Sequence, residues 1–253
     1  MAGIRDGFDL FEGHYLMDSR RAIFERLRER LAGAASVQPP PPPQVWPIEN
    51  PPPAKKIERF LAELAEVAGQ GYHIGSVEEL RQRLAALLAE EGIGRLGCQD
   101  RALVRAIFQP TPESQPPSEP TQPPSTAQAL DRPDIELLWH HPDPDPKSLD
   151  SLGGSVLEAD LLLADTGTAM IACPTAYERL LCYLPPVCVV VGRVDRLFEH
   201  LPAAWEEIAH RAADPQLRGE FVFITGPSRT ADIEKILILG VHGPKRLVVF
   251  LVD

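Results

Sequence analysis

The sequence predicts an α/β fold of three layers, in which a mostly parallel sheet lies between helices. Several apolar runs of four to six residues are nearly continuous, which is typical of strands buried on both faces of a sheet. These runs alternate with segments of helical periodicity, and Gly or Pro separates many of them. Hydrophobic residues make up 44% of the 253 residues, which is enough for a sizeable core.

Proline sets the expected domain boundaries. Most of the 27 Pro fall at 38–54 and 109–134, and a shorter cluster follows at 141–146. Such segments lose a backbone donor at each Pro and bury little apolar surface, so they are interpreted as extended or disordered connectors. We expect an N-terminal amphipathic helix with a Pro-rich linker at 1–54. One α/β domain is expected at 55–253, with a flexible Pro-rich excursion at about 109–134.

The charge and the apolar runs argue against two classes of partner. The net charge is −11, and Lys and Arg are spread thinly, which argues against nucleic acid. The N-terminus lacks the apolar core of a signal peptide, and the longest apolar runs are far shorter than the ~20 residues that span a bilayer. We therefore expect a soluble, cytoplasmic protein without a membrane partner.

The four Cys are not spaced like cluster ligands. They stand at 98, 173, 182 and 188, without the Cys-x-x-Cys spacing that iron-sulphur centres usually draw on. In a cytoplasmic protein such thiols are reduced, and we expect them to be buried. No cofactor and no metal are expected in this chain.

The predicted elements follow the apolar periodicity. The first helix carries Ile23, Leu27 and Leu31 at a spacing of four, and this apolar stripe needs a partner in the main domain or in another chain. Ser76 and Glu79 have the spacing of a capping box. Helices are predicted at 20–34, 54–69, 76–92, 100–108 and 193–212, the last with a break near Pro202. Strands are predicted at 72–75, 94–98, 135–141, 160–165, 168–173, 187–192, 221–226 and 246–252.

The segment "GIGRLG" at 92–97 matches the Gly-x-Gly-x-x-Gly pattern of dinucleotide sites. Such a site needs the glycines between a strand and the start of a helix, where free amides meet the pyrophosphate. Here the glycines follow a predicted helix and lead into a strand, so Gly92 is interpreted as the left-handed residue that ends the helix. We expect no dinucleotide site.

Two other patterns are weak signals for a metal. Glu207 and His210 form half of a di-iron helix pattern, but no second Glu-x-x-His is seen in a matching helix. His140 and His141 stand near Asp143, yet adjacent His in a strand point to opposite faces. A solvated helix face is the favoured interpretation of the first pattern.

Thr166, Gly167 and Thr168 lie between two strands that we expect to pair antiparallel. A glycine amide flanked by two hydroxyls is a fair cradle for an anion. The alternative is a tight β-turn in which the threonines bond their own backbone. Arg179 is the nearest cation in the sequence that could face a carboxylate or phosphate.

The C-terminal stretch supplies a second candidate loop. A strand leads to a turn at Gly226, and Ser228 or Thr230 is expected to cap a short helix. The free amides of that helix would bind an anion at the carboxyl edge of the sheet.

Asp232, Glu234 and His242 are candidate proton-transfer residues. Asp232 and Glu234 would lie at the start of the short helix, where a carboxylate can equally serve the helix dipole. His242 lies with Gly243 in a second glycine turn, where a neutral imidazole can transfer a proton or only bond the loop backbone. No residue is assigned a catalytic role.

These segments resemble a known family. "DTGT" at 165–168, "TGPSRTADIE" at 225–234 and "GVHGP" at 240–244, with an Arg ahead of "LP", are similar to motifs of LUD-domain proteins, most closely the lactate-utilisation protein C branch. The resemblance covers 55–253 and, more loosely, the N-terminal helical arm. It implies the CoA-transferase-like fold that is shared with ribose-5-phosphate isomerase and glucosamine-6-phosphate deaminase.

The resemblance also implies a role in oxidising L-lactate to pyruvate beside two lactate-utilisation partner proteins, one or both with iron-sulphur clusters. The implied residues of a site for a small anionic ligand, carried over by position, are Thr166, Gly167, Thr168, Arg179, Gly226, Ser228, Thr230 and Gly243. The segment "ACPTAYERLL", where relatives often carry a more Gly-rich loop, departs from the family pattern. That departure leaves the identity of the ligand open.

Two other functions fit the sequence. The chain is alternatively a non-catalytic assembly or regulatory subunit that uses its N-terminal amphipathic arm as a partner surface. The fold by itself also allows a stand-alone enzyme acting on a sugar phosphate or an acyl-CoA. The sequence supports this last function least, since it shows neither an acyl-accepting Glu nor an independent pair of base and nucleophile.

Overall fold

A computed structural model describes residues 12–32, 46–109, 134–139, 146–215, 217, 220–231, 237–239 and 243–253. The chain divides into two compact units, Met1–Val45 and Trp46–Asp253. The first unit contains helix α1, Glu12–Leu31, which begins earlier than predicted and is exposed over 19–32. No helix in the described part of the chain is long and apolar enough to cross a membrane.

The second unit alternates helices and strands. The helices are α2, Pro53–Glu66; α3, Val77–Glu90; α4, Ala102–Phe108; α5, Pro146–Leu149; α6, Ala176–Leu181; and α7, Leu201–Ala212. The strands are β1, Gln70–Ile74; β2, Arg95–Cys98; β3, Glu136–Leu138; β4, Gly154–Glu158; β5, Leu161–Leu163; β6, Thr168–Ala172; β7, Val187–Arg193; β8, Leu197–Phe198; β9, Phe221–Ile224; β10, Arg229–Ala231; β11, Leu237–Leu239; and β12, Arg246–Val252. Gly92 follows α3 with φ of 63°, as predicted for the residue that ends this helix.

The main sheet has six parallel strands in the order β1-β12-β7-β4-β2-β3. Its central strands β7 and β12 are buried on both faces, which explains their nearly continuous apolar sequences. Helices α3 and α4 cover one face, where Leu84 and Val104 pack with Val189 and Phe250. The predicted α/β fold with a mostly parallel sheet is confirmed.

The other face of the main sheet is covered by α2, α6 and a second sheet of four strands in the order β8-β5-β6-β9. Strands β5 and β6 pair antiparallel as predicted. On the far side of the second sheet, Leu163 and Met170 pack against Ala204 and Ile208 of α7. The second sheet is thus apolar on both faces, which keeps the β5-β6 turn in a fixed position.

The segment Trp46–Asn50 belongs to the second unit, so this unit begins inside the predicted linker. The backbone amides of Glu49 and Asn50 donate to the carboxylate of Glu199, at 2.9 and 2.6 Å. Glu199 is buried, and these bonds satisfy a carboxylate that would otherwise be costly to bury.

One strand was missed, and one predicted helix begins later than expected. Strand β4 was not predicted, because it opens with Gly154 and Ser155 and its apolar run is only Val156 and Leu157; the Ser155 hydroxyl is nevertheless satisfied in the core by donating to the carbonyl of Leu181 at 2.8 Å. The predicted helix at 193–212 begins only at Leu201, because residues 197–198 pair with β5 as strand β8. Pro202 marks the first turn of α7 rather than a break within it.

Candidate functional site

The turn Thr166–Thr168 lies between β5 and β6 and rests on helix α2. Gly167 has φ of 62°, and a Cβ atom built there would lie 2.5 Å from the backbone nitrogen of Leu64. Both facts require glycine, because the left-handed region and the contact with a helix backbone leave no room for a side chain. The turn is therefore held rigidly against α2.

The threonine turn meets the C-terminal loop through side-chain hydroxyls. Strand β6 pairs antiparallel with β9, which brings Thr168 beside Thr225, with 2.9 Å between their Oγ1 atoms. The Thr168 hydroxyl donates to Thr166 Oγ1 at 2.8 Å, so Thr225 is left to donate to Thr168. Thr166 is exposed, and its own hydroxyl lies 3.4 Å from Asp165 Oδ1. That bond is the weakest of the three, and Thr166 is the hydroxyl most readily turned toward a ligand.

The loop after β9 continues the same surface. A Cβ atom at Gly226 would lie 3.0 Å from the carbonyl oxygen of Val67, so this glycine also rests on the end of α2. The amide of Ser228 donates to the carbonyl of Pro244 at 2.8 Å, and a Cβ atom at Gly243 would lie 3.0 Å from the Cβ of Ser228. Residues 166–168, 225–228 and 243–244 therefore form one contiguous group, which is exposed at Thr166 and Thr225 and which we call the threonine-glycine surface.

The prediction of a short helix capped by Ser228 or Thr230 is wrong over 229–231. These residues form strand β10, which pairs antiparallel with β11. Because these residues are extended and not helical, they offer no helix N-terminus to an anion. Thr230 is placed only as a member of β10. Asp232, Glu234 and His242 lie outside the described residues.

Arg179 is not part of the threonine-glycine surface. Its guanidinium forms an ion pair with Glu220 and lies 3.4 Å from the carbonyl of Cys173. Cys173 follows β6, whereas Thr168 begins it, and a strand of this length spans on the order of 16 Å. Proximity in sequence was misleading here, because the strand carries Arg179 to the opposite end of the second sheet.

The carboxyl edge of the main sheet carries a buried polar cluster that the sequence analysis missed. The chain leaves β2 for α4 on one face, and leaves the neighbouring β4 for the second sheet on the other face. Ligands of open α/β sheets usually bind at such a switch point. Here the side chain of Gln99 fills it, accepting from the amide of Glu158 at 2.9 Å and donating to Glu178 at 3.4 Å.

Asp160 extends this cluster. Its carboxylate accepts from the amide of Ala172 at 2.7 Å, forms an ion pair with Arg211, and lies 3.6 Å from Arg101. The side chain of Asp160 is only 5% exposed, so the two guanidiniums stabilise a buried charge. Because these groups satisfy one another, the cluster joins β4, β6 and α7 rather than presenting open donors. In the sequence, the signal for this cluster was the presence of polar residues directly after β2 and β4.

The four cysteines are free and buried, as predicted. A hydrogen bond with Cys173, whose Sγ lies 3.9 Å away, and burial both raise the pKa of Cys182. Burial raises the pKa of Cys98 and raises the pKa of Cys188 to about 12. These three thiols therefore stay protonated at neutral pH. In the part of the chain that the structure describes, no group of three or more His, Cys, Asp or Glu could hold a metal ion.

Comparison with known proteins adds an independent finding. The family model described as the LUD domain matches residues 57–252. The chain is 34% identical over 100 residues to lactate utilization protein C of Bacillus pumilus, which is 39% of this chain and 42% of that protein. It is 30% identical over 95 residues to lactate utilization protein C of Shouchella clausii, which is 38% of this chain and 42% of that protein. The match therefore spans about two fifths of these relatives.

A solved structure supports the fold. The crystal structure of a DUF162 family protein from Deinococcus radiodurans superposes with a TM-score of 0.51 at 17% identity, over 80% of this chain and 99% of that one. At this identity the likeness concerns the arrangement of helices and strands alone.

Proposed function

Because the chain belongs to the LUD domain family, we propose that it is a component of a lactate-utilisation system that oxidises L-lactate to pyruvate. Relatives that share about two fifths of their length with it carry the name lactate utilization protein C, which supports this role. In this proposal two partner proteins with iron-sulphur clusters transfer the electrons. This chain contributes a binding surface for a small anionic ligand.

The observation that carries the ligand-binding part is the meeting of the two threonine-containing loops. Thr168 and Thr225 lie 2.9 Å apart, the Thr168 hydroxyl donates to Thr166, and the glycines beside them rest on α2, so the exposed Thr166 hydroxyl is held in place. A preorganised donor binds a ligand without the entropic cost of ordering it. The carboxylate of half-buried Asp165 repels an anion that binds next to Thr166. The ligand is therefore expected to bind through hydroxyl and amide donors.

Reconstitution tests the proposed function. The full chain and both partners are combined with L-lactate, and pyruvate is measured over time. Omitting the chain is expected to abolish pyruvate formation, and Thr166→Val is expected to lower it because the exposed hydroxyl is lost. Thr166→Ser keeps the hydroxyl and serves as the matched control. Full activity in the absence of the chain would refute the proposal.

The exposed helix α1 favours a second candidate function, that of a non-catalytic assembly or regulatory subunit. Ile23, Leu27 and Leu31 are 59%, 49% and 64% exposed, and such a stripe is typical of a helix that binds in a partner's groove. Leu27→Asp in the full chain is then expected to abolish co-purification with the partners. Ala22→Asp, on the polar side of α1, is the control. If the subunit is non-catalytic, Thr166→Val leaves pyruvate formation unchanged.

A further inference from the structure

A cavity of about 280 Å³ opens at the amino edge of the main sheet, where β2, β4, β7 and β12 begin. Its wall is formed by the loops that lead into these four strands. The volume lies near the lower end of the ~300–1,000 Å³ that is usual for small-molecule sites. The cavity is separate from the buried polar cluster, which lies at the opposite edge of the same strands.

The glycines of "GIGRLG" give the cavity an open backbone wall. Gly92 and Gly94 both line it, and a Cβ atom built at either position would meet nothing within 4 Å. The loop runs from a helix into a strand, so it lacks the geometry of a dinucleotide site. The open glycines nevertheless allow a small ligand to approach the main chain closely.

The positively charged side chains around the cavity differ in whether a carboxylate pairs with them. Arg95 lies 3.2 Å from Glu136 and bonds the hydroxyl of Ser151, and Arg246 forms ion pairs with two glutamates, Glu90 and Glu91. Carboxylates that already pair with these guanidiniums leave them little net attraction for a further anion.

Lys245 is the exception. It lines the cavity and is exposed, and among the described residues no carboxylate oxygen lies within 4.0 Å of its ammonium nitrogen. Its backbone is fixed at the rim, because its amide donates to the carbonyl of Pro186 at 2.8 Å. Among the described residues that line the cavity, Lys245 therefore presents a positive charge without a carboxylate partner, within reach of the rim.

We infer that this cavity binds a small monocarboxylate, with Lys245 as its counter-charge. A single ammonium group matches a singly charged ligand better than a polyanion such as a phosphorylated sugar. The Ser151 hydroxyl and the open backbone at Gly94 provide neutral polar groups for a hydroxyl or keto oxygen on the ligand. Lys245 follows Pro244 of the threonine-glycine surface in the chain, but no residue of that surface lines the cavity, and the inference does not depend on the proposed function.

The test is a titration of the full-length, nitrogen-15-labelled chain with pyruvate, followed by the amide signals of the glycines. Saturable shifts are expected at Gly92, Gly94 and Gly153, which line the cavity. Lys245→Met is expected to weaken binding at these signals at least about tenfold, the loss of one charge-assisted contact. Lys245→Arg is expected to retain binding.

Controls separate this site from others. Lys55→Met removes an exposed lysine of α2 and is expected to leave the affinity unchanged. Inorganic phosphate is expected to bind more weakly than pyruvate. Equal affinity in the Lys245→Met variant, tighter binding of phosphate, or shifts confined to Gly167 and Gly226 would each overturn the inference. Shifts at Gly167 and Gly226 report the threonine-glycine surface, so the two sites fail independently.

Discussion

Replacing Gly167 by alanine is expected to destabilise the protein more than the same change at Gly92 or Gly94. Gly167 has φ of 62°, and an added Cβ atom would lie 2.5 Å from the nitrogen and 2.7 Å from the Cα of Leu64. The methyl group therefore meets a helix backbone, which cannot turn aside as a flexible side chain does. Either the turn or α2 must move.

The magnitude follows from two separate costs. The left-handed conformation costs a non-glycine residue about 1–2 kcal/mol. Overpacking against a buried element adds about 1–3 kcal/mol. The sum of about 2–5 kcal/mol corresponds to a fall in melting temperature on the order of 10 °C for a domain of this size.

The two other glycines separate these costs. Gly92 has φ of 63° but no atom within 4 Å of a built Cβ, so Gly92→Ala is expected to cost about 1–2 kcal/mol from strain alone. Gly94 has neither feature, and Gly94→Ala is expected to change stability by no more than about 0.5 kcal/mol. Thermal unfolding followed by circular dichroism ranks the three variants. If Gly167→Ala melts at the same temperature as Gly92→Ala, the close contact between the turn and α2 is refuted.

Two further predictions concern the interior. Asp160→Ala removes the buried partner of Arg101 and Arg211 and leaves the amide of Ala172 without its acceptor. Since Arg211 keeps Glu207 and Arg101 keeps the carbonyl of Ala172, the expected cost in urea unfolding is about 1–3 kcal/mol. Glu206→Ala, at an exposed position of α7, is expected to be neutral, and a cost for Asp160→Ala no larger than that of Glu206→Ala would contradict a cross-linking role for Asp160. Because burial raises the pKa of Cys98 and raises that of Cys188 to about 12, the unfolded chain releases these protons from about pH 9 while the folded chain keeps them. The free energy of unfolding is therefore expected to fall above pH 9, by about 1.4 kcal/mol per pH unit for each thiol, and Cys188→Ala is expected to reduce this slope. An unchanged slope in that variant would contradict the buried, protonated thiol.

Much of the fold was predictable from local sequence. The strands β7 and β12 have apolar sequences over almost their whole length because helices or the second sheet cover both of their faces. Strand β4 was not predictable in this way, since its burial comes from its central place in the sheet and its Ser155 finds a partner in α6. The pattern of Val156 and Leu157 alone is too short to indicate a strand.

The candidate site was predictable only in part. The threonine turn and the C-terminal loop were expected to act together, and the pairing of β6 with β9 brings them side by side. The helix predicted after Gly226 was wrong over 229–231, which form strand β10, because hydroxyl residues such as Thr230 occur in strands as well as at helix starts. Predicting the cluster around Gln99 requires knowing that β2 and β4 are neighbours in the sheet. Strand order is a long-range property that the periodicity of the sequence does not reveal.

The most direct test of the central claim is a titration of the full chain with L-lactate and with pyruvate, read at the amide signals of Gly167 and Gly226. Both glycines belong to the threonine-glycine surface, and the signals of Lys245 and its cavity are separate from theirs. Saturable shifts are expected with at least one of the two ligands, and Thr166→Val is expected to weaken binding about 10-fold to 100-fold, the value of one hydrogen bond to a charged group. Thr166→Ser is expected to bind normally. Unshifted signals with both ligands, or equal affinity in the Thr166→Val variant, would contradict the assignment of ligand binding to this surface.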